Sequence, residues 1–232
     1  MLTEGRWYDK SIILILGGKE MKRRKSLVAL LLAMIMVLLC GCGSGMSAED
    51  AKAYTKSILD ATYKGEFKDY IKWTDSTEEE AKKMYDSNMD TTLEQAGFTE
   101  LGISDELLAK YKQLFMDMAS NAKYEVGEVK EGDNDEYTVE VTVYPFTGFD
   151  GLQDEVTSQL DINSLADKSE QEMYEAIFTK MYEIMAQKLE SPTYGDAQTV
   201  TVHVTPDDDG VYSVSESELA EIDNAMFPSD GF

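Results

Sequence analysis

The chain has 232 residues, with 45 Asp plus Glu against 21 Lys plus Arg and a formal net charge of −24. That balance excludes nucleic-acid binding by phosphate neutralisation, which rests on clustered Lys and Arg, and it excludes a basic patch for holding an anionic membrane surface. One histidine and two cysteines leave no room for a disulfide framework or a cysteine-type zinc site. They allow a Ser-His-Asp arrangement only through His203.

Residues 1–20 match no targeting or structural pattern, and the apolar run Ile12 to Leu16 is too short to act alone. Gly17-Gly18-Lys19-Glu20 can be encoded by a purine-rich run of the kind that precedes a bacterial start codon, so translation is expected to begin at Met21. Lys22, Arg23, Arg24 and Lys25 then precede fourteen uncharged residues, Ser26 to Leu39. A basic segment before a short apolar run is the pattern of a secretory signal. A spanning helix would need about 20 apolar residues, and the cations hold their end on the cytoplasmic side.

The apolar run closes with Leu39-Cys40-Gly41-Cys42. This ending resembles the lipobox of bacterial, Gram-positive cell-surface lipoproteins, in which an aliphatic residue and one or two small residues precede an obligatory cysteine. The resemblance implies a signal peptide over 21–41, cleavage after Gly41 and a diacylglyceryl thioether on Cys42. The membrane partner would then be reached through fatty-acyl chains such as palmitate, on the extracytoplasmic face of the cell membrane. Two acyl chains anchor far better than one, at about 0.8 kcal/mol per buried methylene. A mature chain from Cys42 would keep 14 Lys and no Arg against 42 Asp plus Glu, a net charge of −28.

Residues 42–46 read as a short tether, and 47–232 as a single α+β domain of a size that supports its own core. Ser47-Ala48-Glu49-Asp50 opens a first helix with a capping serine and early acids, and Gly65 stops it. Phe67, Tyr70, Ile71 and Trp73 cluster behind it and read as a core patch. A second helix opens at residues 75–79 and ends at Gly97. A third follows Ser104, with a stripe through Leu107, Tyr111, Leu114, Phe115 and Met118.

From Lys123 the period falls to two. Tyr124 and Val126 lie on one face of a strand, Gly127 breaks the alternation, the mark of a bulge, and Val129 is expected to continue on the other face. A turn over 132–135 leads to Tyr137, Val139, Val141 and Val143, alternating with Thr138, Glu140, Thr142 and Tyr144. A short helix near 151–160 and a long one opening at Ser169 follow. The broad apolar face of the long helix, from Met173 to Leu189, predicts that the sheet packs on it. Val200, Val202 and Val204 mark a third strand, Pro206 to Gly210 a turn, Val211 to Val214 a fourth strand, and Leu219, Ile222 and Met226 a closing helix. The expected architecture is N-terminal helices, then a curved antiparallel sheet of about four strands on a long amphipathic helix. Residues 122–227 weakly resemble the cystatin-like cone of the nuclear-transport-factor type, which implies a curved sheet around a long helix.

No phosphate loop, nucleophile elbow or His-Glu metal motif occurs, and no cofactor, catalytic residue or metal ligand is assigned. The runs 133–136 and 207–210 lack calcium-loop spacing and suit turns. His203 shares its strand face with Thr201, and Glu140 sits on the corresponding face of the second strand. If these faces line a cone pocket, His203 with Glu140 or a tyrosine could do acid–base work. If they meet water, His203 is an ordinary exposed residue. The expected function is therefore a lipid-anchored extracytoplasmic protein with a non-enzymatic binding or structural domain. Its alternatives are a small-molecule or catalytic pocket inside a cone, and an accessory subunit of a membrane transporter or envelope-sensing system with an unknown protein partner.

Overall fold

The computed structural model describes residues 45–74, 76–165 and 167–228. Met21, the signal segment, Gly41 and Cys42 lie outside the described residues. Within them the order is α1 (Ala48–Leu59), α2 (Glu78–Gln95), α3 (Asp105–Ser120), β1 (Lys123–Glu131), β2 (Tyr137–Tyr144), α4 (Leu152–Gln159), α5 (Ile162–Leu165), α6 (Glu170–Leu189), β3 (Gln198–Pro206), β4 (Tyr212–Val214) and α7 (Glu216–Met226). This is an α+β fold with a curved, open antiparallel sheet in the order β1-β2-β3-β4. Capping explains where the helices begin. The side-chain oxygens of Ser47, Thr77, Ser104, Ser169 and Ser215 each accept an N–H bond from the first turn, which satisfies donors that have no partner in the helix itself.

Two hairpins build the sheet, and the helical excursion 145–197 separates them. β2 pairs β3 with Val139 opposite Val202 and Val141 opposite Val200, while Thr138 faces His203 and Glu140 faces Thr201. The alternation is borne out: Tyr137, Val139, Val141, Val143, Val202 and Val204 are buried and the intervening residues are more open. The bulge falls between Val126 and Val129. It sets Val129 opposite Val139, so Val129 stays on the side of Val126 rather than crossing to the other face. At Gly127 a Cβ would stand 3.2 Å from the Glu140 carbonyl oxygen, which is why the bulge carries no side chain there.

One expectation is corrected. The inner face of the sheet is covered by α1, over β1 and β2, and by α7, over β2 and β3. The long helix α6 packs mainly on α3 and α4. Tyr111 of α3 donates its hydroxyl to the Phe178 carbonyl at 2.7 Å, and Ser104 donates its N–H and hydroxyl to the Glu175 carboxylate at 2.7 and 2.6 Å. Phe98 stacks among Tyr111, Phe115 and Phe178 at centroid distances of 4.7, 5.5 and 5.9 Å. The aromatic patch after α1 is core, as read: Phe67 and Tyr70 are buried with Ala61, Ala81 and Tyr85.

Candidate functional site

Glu140, Thr201 and His203 stand on the outward face of the sheet, opposite to the valine side, and Thr201 and His203 are exposed. They do not line an interior, so the geometry that acid–base work in a cone would need is not assembled. Glu140 takes Lys130 as its partner, with Nζ 3.3 Å from Oε1. His203 takes a different one. Its Nδ1 lies 2.6 Å from Glu218 Oε1 and its backbone N–H donates to Glu218 Oε2 at 3.3 Å. Burial pushes the Glu218 carboxyl up, but the bonds from His203 and Ser215 outweigh it and hold the group below its ordinary range. The pair therefore pins the first turn of α7 to β3, at a place where the short β4 leaves a β3 N–H without a ladder partner.

The acidic turns are built as turns. Asp207 Oδ1 accepts the N–H groups of Asp209 and Val211, each at 2.9 Å. In the other hairpin Asn134 and Asp135 both adopt φ of 60°, a conformation these two residue types tolerate well. Among the described residues no group of three or more His, Cys, Asp or Glu side chains could hold a metal ion.

A second polar cluster lies inside, where α1 ends. There the helix widens into a π turn, Asp60–Lys64, closed by Gly65 at φ 64°. Asp60 accepts from Lys56, from Lys64 Nζ at 3.1 Å and from the Tyr124 hydroxyl of β1 at 2.6 Å. Burial raises the Asp60 carboxyl, and the Lys56, Tyr124 and Lys64 bonds more than offset it, so it stays ionised. Three residues on, Tyr63 is fully buried and donates to Asp223 Oδ1 of α7 at 3.4 Å. Asp223 is itself 0% exposed, and its second oxygen has no hydrogen-bond partner. Burial drives its pKa well above the ordinary value, against the smaller opposing effect of the Tyr63 bond. The cluster can hold one ionised and one neutral carboxyl side by side. The Tyr63 and Asp223 half is enclosed, with the Tyr124 and Phe227 rings 6.0 and 6.1 Å from that of Tyr63, whereas Asp60 reaches the surface through Lys56 and Lys64.

No family model and no curated protein matches the chain. A solved structure does. The fold is similar to that of a candidate lipoprotein (ycdA) from Bacillus subtilis, with a TM-score of 0.53 and 18% identity. The match covers 78% of this chain and 59% of the Bacillus protein, so this chain spans little more than half of that one. At this identity the likeness carries the fold.

The Asp60 and Asp223 cluster escaped the reading of the sequence. A signal for half of it was present: Leu219, Ile222, Asp223 and Met226 all fall on one helical stripe, with an acid where the period calls for an apolar side chain. For Asp60 no comparable signal exists, because a helix end with Lys on either side reads as solvated surface.

Proposed function

We propose that the protein is a lipid-anchored extracytoplasmic protein whose α+β domain performs a non-enzymatic binding or spacing role at the cell surface. The observation that carries the reading is the sequence Leu39-Cys40-Gly41-Cys42 at the end of a basic-then-apolar signal segment. The likeness in fold to a candidate lipoprotein supports it. So does the burial of Met46, only four residues after Cys42, which ties the domain close to that cysteine. No helix among the described residues is long and apolar enough to cross a membrane, which makes an acylated cysteine a suitable means of attachment. Of the residues singled out in the sequence, His203 pairs with Glu218 and Glu140 with Lys130 on the outward face of the sheet.

The test is Cys42→Ala in a host that processes lipoproteins. The variant is expected to leave the membrane fraction while its circular dichroism stays that of the parent. A variant that still partitions with membranes would overturn the reading.

A further inference from the structure

The first described residues are held at one end of the sheet. Met46 is 8% exposed. Its N–H donates to the Tyr212 hydroxyl at 3.3 Å, and its carbonyl accepts from the Tyr137 hydroxyl. Those tyrosines open β4 and β2, and their rings face each other at 6.4 Å. At Gly45 a Cβ would stand 3.7 Å from the Tyr212 hydroxyl and 3.9 Å from the Asp135 carboxyl carbon. Both hairpin turns, 132–136 and 207–210, lie at this end. The next residue, Ser47, caps α1, and α1 is fixed again at its far end, where Asp60 meets Tyr124. Tyr124 pairs Val143, close to the opposite end of the sheet.

We infer that the hairpin end of the sheet is the membrane-facing end of the protein, because the chain from Cys42 enters the fold there, at Met46 between Tyr137 and Tyr212. The inference rests on lipidation of Cys42 as proposed above. Four residues reach about 14 Å even when fully extended. The tether enters the fold at Met46, and the helix that follows directly, α1, is capped by Ser47 and packed on β1 and β2, so the hairpin end is the part of the domain held nearest the lipid. The opposite end, with Pro145, Phe146, Tyr194 and Gln198, stands off by the length of an eight-residue strand, about 26 Å further out.

The near end carries Asp133, Asp135 and Glu136 in one turn and Asp207, Asp208 and Asp209 in the other. Anionic headgroups repel it, so it faces the bilayer without inserting.

The experiment uses the full chain, produced in a lipoprotein-processing host and returned with its lipid to phosphatidylcholine vesicles that contain an acceptor dye on a small share of headgroups. A fluorescent amino acid replaces Asp208 or, in a second preparation, Gln198; both positions are exposed. Energy transfer from position 208 is expected to be at least about twice as efficient as from 198, given the strand-length separation. Equal transfer from both positions of the parent, or stronger transfer from 198, overturns the orientation and leaves the anchor standing. Recovery of the protein outside the membrane fraction with an unmodified Cys42 peptide overturns the anchor, and the orientation with it.

Discussion

Asp223 makes stability depend on pH. Burial without a cation pushes its pKa in the folded state well above the ordinary 3.8 that it has in the unfolded chain. The sign follows. A carboxyl whose folded pKa is raised contributes fully below the unfolded value, and that contribution is lost as pH rises toward the folded one. Within that window the loss is about 1.4 kcal/mol per pH unit. Asp223→Asn should therefore be increasingly more stable than the parent as urea melts are moved from pH 5 to pH 8. A difference that stays constant across that range would show Asp223 to be ionised in the fold. Removing its single donor by Tyr63→Phe should cost about 1–3 kcal/mol at pH 5, the usual penalty for orphaning a buried polar group. Asp50, Glu80 and Glu172 act in the opposite sense. Bonds from Ser47, Thr77 and Ser169 hold them below their ordinary values, so what they contribute is present at neutral pH and fades as pH falls through those lowered values.

Among the elements, the contact between α3 and α6 draws on Ser104, which caps α3 and also donates twice to Glu175. Ser104→Ala should lower stability by about 1 kcal/mol for the cap alone, read as a lower urea midpoint with an unchanged slope. The strands were legible because a half-buried sheet forces a period of two on Val139, Val141, Val202 and Val204. Helix starts were legible because Ser47, Ser104 and Ser169 each mark one. The choice of which helix covers the sheet was not. α6 shows nine large apolar side chains between Met173 and Leu189, but apolar breadth does not say which neighbour receives it. α1 mixes polar residues into its inward positions. Its Thr55 and Ser57 are buried, because their hydroxyls donate back to the Ala51 and Tyr54 carbonyls at 2.9 and 2.8 Å, which removes most of the cost of burying them. The same reason hid the interior carboxyls. Whether an acid is solvated or sealed depends on Tyr63 and Tyr124, which are brought to it from other elements.

For the whole molecule, charge dominates. A chain from Cys42 onward carries −28 with no arginine, and self-repulsion of that size opposes compaction. Raising sodium chloride from 0.01 to 0.1 M shortens the screening length from about 30 Å to about 10 Å. The thermal midpoint should therefore rise with salt; a midpoint that falls would mean that attractive surface pairs outweigh the repulsion. The two borders of the sheet bear on what happens when many copies stand close together. β4 has three residues, too few to template a neighbour. β1 is longer, but it is kinked at Gly127 and bears Lys123, Glu125, Glu128, Lys130 and Glu131. Short, bent and charged rims resist zipping between chains. A lawn of these molecules, however dense, would stay a population of separate bodies and not polymerise into ribbons.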